Sequence, residues 1–264
     1  MLDKLKIISL DRVVAYEAPA EERVVRLAEE IAREGRLRNP LLVKPLDDLF
    51  LLLDDVSILA ALDRLNLVHV PIQQSDAALV VRPWQRVVEN WHPDDLIEYC
   101  RVFPRQISVS TDRGPLSSRQ ADVRFSTKAA YRLTFTSDSF LTRCDMVSTL
   151  IASCSRAGGG FRAKLALDAA DPLRAFPQAT AAVYPPYFSL DELAVIARRG
   201  IRLPYGSIRI DQPGRILGID YSLAILRERA PIEEKESFLR ELIRMRMASD
   251  RTAYYDGYVM VLNN

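Results

Sequence analysis

The chain has 264 residues, 48% of them hydrophobic, and 36 Lys and Arg against 35 Asp and Glu leave a net charge of +1. That length exceeds an average domain of roughly 100 to 150 residues, so two lobes are expected, 1–100 and 101–264. The charge balance lacks the basic excess that phosphate backbones demand, which disfavours nucleic acid as a partner.

Cys100, Cys144 and Cys154 are far apart and in no C-x-x-C or His-paired spacing, so they indicate neither a disulfide framework nor a zinc site. No apolar run approaches the ~20 residues of a membrane span, and Met1 to Lys6 lacks a signal-peptide core. A cytoplasmic protein with no membrane partner is expected.

In chain order, Leu5 to Leu10 is short and β-branched and predicts a first strand. From Pro19 to Glu34, Val24, Leu27, Ala28 and Ile31 recur at helical spacing, and Gly35 stops the helix. Leu41 to Val43 and Leu49 to Leu53 are apolar runs of strand length whose uniform character predicts burial on both faces. Val56 to Leu65 puts Ile58, Leu59, Leu62 and Leu65 on one helical face, and Val68 to Ile72 returns as a strand.

Farther on, Ala77 to Val81 predicts a strand, Pro93 opens a helix, and Val123 to Phe125 and Tyr131 to Phe135 predict two strands. Met146 to Ala152 reads as an apolar helix stopped by the linker Gly158-Gly159-Gly160, and Phe161 to Leu167 as a strand. Ser189 to Glu192 opens a short helix as a capping box would, and Gly200 closes it. Strands at Ile208 to Ile210 and Ile216 to Ile219, helices at Tyr221 to Arg227 and Pro231 to Met247, and a single strand from Tyr254 to Leu262 complete an α+β reading.

Three short segments carry the chemistry: Tyr16-Glu17, Leu37-Arg38-Asn39-Pro40 and Leu53-Asp54-Asp55. A loop glutamate beside a tyrosine can take a proton from an alcohol, although such residues are more often solvated surface charges. Asp54, at the end of a buried strand, is expensive unless it holds Mg²⁺ or a hydrogen-bonded turn, and capping the next helix is the simpler alternative for this turn. Trp84 with Arg86 could hold a small zwitterion by packing and charge-assisted hydrogen bonds, against a plain core role. No P-loop or Rossmann glycine motif is present, and two histidines leave little for imidazole metal chemistry.

The order strand, helix, strand, strand, helix, strand, with these punctuations, resembles the ParB/sulfiredoxin superfamily. Leu37 to Val43, Pro83-Trp84-Gln85, Arg199 to Gly206 and Gly214 to Leu217 resemble the free L-serine kinases of staphyloferrin B biosynthesis. The resemblance implies a sulfiredoxin-like nucleotide-binding domain at 1–100 and an α+β C-terminal lobe. It implies ATP or ADP with Mg²⁺, L-serine as substrate and O-phosphoserine as product for a 2,3-diaminopropionate, siderophore or antibiotic pathway; a homodimer is compatible with it.

Residue by residue, it implies Glu17 as base and Asp54 as second catalytic acid and metal ligand, both facing one cleft. Arg38, Asn39, Asp55 and Ser57 would bind the nucleotide, and Trp84 and Arg86 the amino acid. Where the family has Asp-Gly-x-His-Arg, this chain has Asp54-Asp55-Val56-Ser57-Ile58. The missing glycine, histidine and arginine weaken phosphate binding and leave a second reading, a degenerate regulatory or ligand-sensing protein.

Overall fold

In the computed structural model, which describes residues 2–76, 79–112, 114–155, 162–166, 171–211, 214–248, 252–255 and 259–262, the chain forms an α+β fold in two compact units. One unit comprises Met1–Val80, Ala197–Arg202 and Ile210–Asn264, the other Val81–Ile196 and Leu203–Arg209. The division expected at residue 100 therefore falls inside the second unit, and the C-terminal stretch belongs with the N-terminal one. The cause is hydrophobic: Tyr221, Leu223, Leu226, Leu239 and Ile243 are buried in the same cluster as Ile7, Val24, Val43 and Leu62.

The first unit opens with β1 (Leu5–Ser9), β2 (Val13–Val14), α1 (Glu21–Glu34), β3 (Arg36–Leu37), β4 (Leu41–Leu46), β5 (Leu49–Leu52), α2 (Val56–Arg64) and β6 (His69–Gln74). In α1, Val24, Ala28 and Ile31 are buried at i, i+4 and i+7, and Gly35 at φ 64° returns its N–H to the Ile31 carbonyl at 3.0 Å. The sheet order is β1-β6-β4-β5-β2. β4 lies parallel to β6 and antiparallel to β5, and β5 is parallel to β2. Leu41, Leu42, Val43, Leu51 and Leu52 are all buried, which is why these runs show no polar alternation.

Next along the chain come β7 (Val80–Pro83), β8 (Gln85–Glu89), α3 (Pro93–Val102), β9 (Ile107–Ser110), β10 (Gln120–Phe125), β11 (Ala130–Phe135), α4 (Phe140–Ser155), β12 (Arg162–Ala166), α5 (Pro172–Ala175), β13 (Ala181–Tyr184) and α6 (Leu190–Arg198). The second unit holds a six-stranded antiparallel sheet, β12-β8-β13-β10-β11-β9. Trp91 stacks on Phe125 at 5.8 Å between ring centres, a core role. The capping box at α6 is reciprocal: Ser189 N donates to Glu192 at 2.9 Å, and Glu192 N to Ser189 Oγ at 3.2 Å. Residues 77 and 78 of the expected strand at Ala77 to Val81, the linker Gly158 to Gly160, and Phe161 and Leu167 lie outside the described residues.

The chain ends with β14 (Ile208–Asp211), β15 (Ile216–Leu217), β16 (Tyr221–Ser222), α7 (Leu223–Arg227), α8 (Ile232–Ala248), β17 (Thr252–Tyr255) and β18 (Val259–Leu262). The single C-terminal strand expected from Tyr254 to Leu262 is a hairpin, with Tyr255 paired to Val259. Asp256-Gly257, a common hairpin signal, stands between them in the sequence. Among the described residues, no helix is long and apolar enough to cross a membrane.

Candidate functional site

The turn after β5 holds two adjacent carboxylates with separate tasks. Asp54 accepts the Leu42 backbone N–H on Oδ2 at 2.8 Å and the Arg215 Nη1 on Oδ1 at 2.5 Å, both side chains about one-fifth exposed. Asp55 Oδ1 caps α2 by accepting from Ser57 N at 2.9 Å, and its Oδ2 pairs with Arg23 Nε. Ser57 is fully buried, and its Oγ has no hydrogen-bond partner.

Arg38 and Asn39 stand at the end of β3. Arg38 Nε donates to Glu34 Oε2 at 2.8 Å and Nη2 to Oε1 at 2.5 Å, which holds the Glu34 carboxyl below its ordinary pKa. Asn39 Oδ1 accepts from Gly218 N at 2.8 Å, and Arg38 O from Asp220 N at 3.1 Å. Gln73, buried on β6, accepts from Ile216 N at 2.9 Å and donates to Gly214 O. Residues 214–220 thus form a strap fastened to Asp54, Gln73, Asn39 and the Arg38 carbonyl. Arg36, Arg38, Asn39, Asp54, Asp55 and Arg215 border one cleft of about 200 Å³.

Glu17 belongs to a different cleft, of about 460 Å³, shared with Ser9, Asp11, Asp63 and Arg202. Glu17 is buried, 8% exposed. Burial pushes the adjacent Tyr16 phenol far above its usual pKa, and the charges of Glu17 and then Asp54 push it further. Val56, Leu59, Ala60 and Asp63 border the Glu17 cleft with it, and Asp55 and Ile58 border the cleft of Asp54, so α2 contributes to the lining of both.

In the second unit, Trp84 is half-buried, with Arg209 over its ring at 5.4 Å, and its backbone N–H donates to Ser207 O at 3.0 Å. Arg86 is buried and donates from Nη2 to the carbonyls of Tyr205 at 2.8 Å and Gly206 at 3.0 Å. The sequence reading named none of Arg202, Arg209 and Arg215 as a site residue. Arg202 and Arg215 fall in Arg199 to Gly206 and Gly214 to Leu217, segments already singled out, so the signal was available. Among the described residues, no three His, Cys, Asp or Glu side chains gather as a metal cage.

No family model and no curated protein matches the chain. Solved structures do. SbnI with a C-terminal truncation, from Staphylococcus aureus, superposes with a TM-score of 0.75 at 17% identity, covering 92% of this chain and 97% of that one. A free serine kinase in complex with AMP gives 0.65 at 16% identity over 84% and 93% of the two chains. A variant of a free serine kinase in complex with ADP gives 0.65 at 14% identity over 84% and 94%. At these identities, the likeness is one of fold.

Proposed function

We propose that the protein is a nucleotide-dependent phosphotransferase of the free serine kinase kind, moving a phosphoryl group from ATP or ADP to the hydroxyl of L-serine to give O-phospho-L-serine. The observation that carries the reading is Glu17: a buried carboxylate at the edge of a cleft, in a fold shared with free serine kinase structures that contain AMP and ADP. In the reaction, Glu17 takes the hydroxyl proton, the serine oxygen bonds to phosphorus, and the bond from phosphorus to the bridging oxygen breaks. The electron pair leaves with the shortened nucleotide.

Arg38 and Asn39 are assigned to the nucleotide. Arg38 is exposed with its guanidinium paired to Glu34, and the Asn39 amide N–H groups stand as donors beside the same cleft. Ser57 Oγ, without a partner, is a further donor on the first turn of α2, and Asp55 shapes that turn. Trp84 and Arg86 are assigned to the amino acid, and Arg86 in addition orders the Tyr205 and Gly206 backbone. Mg²⁺ would neutralise the phosphates, and Asp54 is the residue to hold it, its charge at present shared with Arg215. A product of this kind would feed 2,3-diaminopropionate or siderophore synthesis.

The second reading, a ligand-sensing protein without turnover, draws on the same turn: both its carboxylates are engaged by the protein's own N–H and guanidinium groups. Incubating the purified protein with Mg²⁺, L-serine and either ATP or ADP, then seeking O-phosphoserine by mass spectrometry, separates the two. Product supports the kinase; its absence together with no nucleotide binding by calorimetry rejects it.

A further inference from the structure

Resting on the nucleotide reading of the 200 Å³ cleft, we infer that Arg215 is a phosphoryl-binding residue that exchanges partners. Its partner in this structure is Asp54; its partner in the nucleotide complex is a phosphate oxygen.

Three observations carry this. Arg215 borders the cleft together with Arg36, Arg38 and Asn39, on a strap that reaches it from 161 residues beyond Asp54. Its backbone is clamped on both sides by one buried side chain, Gln73, which binds Gly214 O and Ile216 N. The Cα is thereby fixed, so that an exchange of partner needs only the side chain to move, the preorganisation a positioned guanidinium needs.

The guanidinium itself is under-used. It gives Nη1 to Asp54, while its Nε is buried and has no hydrogen-bond partner. A buried donor without an acceptor carries a desolvation cost, so this is not the arrangement that satisfies Arg215 best. Arg36, in the same cleft, has the same deficit: its Nε is buried without a hydrogen bond, and Asp220 stands 3.9 Å away. Two guanidiniums each missing an acceptor in one cleft match the several oxygens of a phosphoryl group.

Electrostatics sets the direction of the exchange. Of the acids bordering the cleft, Glu30, Glu34, Asp54 and Asp55, Glu34 is paired with Arg38 and Asp55 with Arg23, and Asp54 is the one bonded to Arg215, so it is the charge that competes with an arriving phosphate for that guanidinium. Pairing with Asp54 holds Arg215 ready but also competes with the phosphate for it.

Calorimetry on the full chain in metal-free buffer, with ADP, adenosine and inorganic pyrophosphate as ligands, tests this on wild type, Arg215→Gln, Arg215→Lys and Asp54→Asn. Arg215→Gln should weaken ADP and pyrophosphate by about tenfold or more and change adenosine by less than about twofold, with Arg215→Lys in between. Asp54→Asn, which keeps an acceptor for Leu42 N–H but removes the competing charge, should bind pyrophosphate severalfold more tightly. Unchanged ADP affinity in Arg215→Gln, or an equal loss for adenosine, overturns the inference while leaving the nucleotide reading intact. A wild type that binds neither ADP nor adenosine overturns both. Should Arg215→Gln fail to fold by circular dichroism, Asp54→Asn decides: pyrophosphate binding no tighter than wild type overturns the exchange.

Discussion

Lys235 on α8 donates from Nζ to His69 Nδ1 on β6 at 3.1 Å, and the same ammonium reaches the carbonyls of Leu226 and Glu228 at 2.8 Å each. Three donors meet three acceptors in a residue 1% exposed, which is how a lysine is tolerated there. The third acceptor exists only while His69 is neutral with its proton on Nε2.

Stability should therefore depend on pH through His69. Burial first, and the Lys235 charge second, hold its pKa below the usual 6.5, with Asp11 opposing. Between the folded value and 6.5, the unfolded chain binds more protons, so this contribution is complete above 6.5 and is lost as pH falls toward the folded value. Urea midpoints measured from pH 7.5 to 5 should fall for wild type and fall less for His69→Gln, which keeps an acceptor but does not titrate. Equal slopes would refute the assignment.

Replacing Asp55 removes the α2 cap seen at Ser57 N. Asp55→Ala should cost about 1 kcal/mol by urea unfolding, and Asp55→Asn, which still caps, clearly less. If the two variants prove equally destabilised, the Arg23 pair rather than the cap is what Asp55 supplies.

In the second unit, Arg132 is 3% exposed and donates to both carboxylate oxygens of Asp122, at 2.7 and 3.0 Å. Removing one partner strands a buried charge, so Asp122→Ala should destabilise by about 3 to 5 kcal/mol, whereas an apolar replacement of both should be milder. A double-mutant cycle on thermal unfolding checks this, and additive losses would contradict it.

On the proposed reaction, Glu17→Gln should lower O-phosphoserine formation by about 10²- to 10⁴-fold, because the amide cannot accept the hydroxyl proton. Nucleotide affinity should hold, since Glu17 is assigned to the serine hydroxyl and Arg38 and Asn39 to the nucleotide. Full activity in this variant would remove Glu17 from the mechanism.

Much of the fold was legible where residues interact with near neighbours. α1 showed its buried stripe and its glycine stop, α6 its capping box, and β4 and β5 their unbroken apolar runs. β9 is hard to read because the Ile-Ser-Val-Ser alternation of Ile107–Ser110 is only four residues long and lies on an edge strand with three residues exposed. The C-terminal hairpin was legible as well: Asp256-Gly257 divides the segment from Tyr254 to Leu262, and a reading by apolar content alone passes over that signal.

By itself, the sequence determined many of the local elements and offered the candidates Glu17, Asp54, Asp55, Arg38 and Asn39 from short segments. Only the tertiary structure decided who meets whom. Periodicity reports contacts a few residues apart, whereas the Asp54 and Arg215 pair, and the clamp of Gln73 on Gly214 and Ile216, join positions more than 140 residues apart.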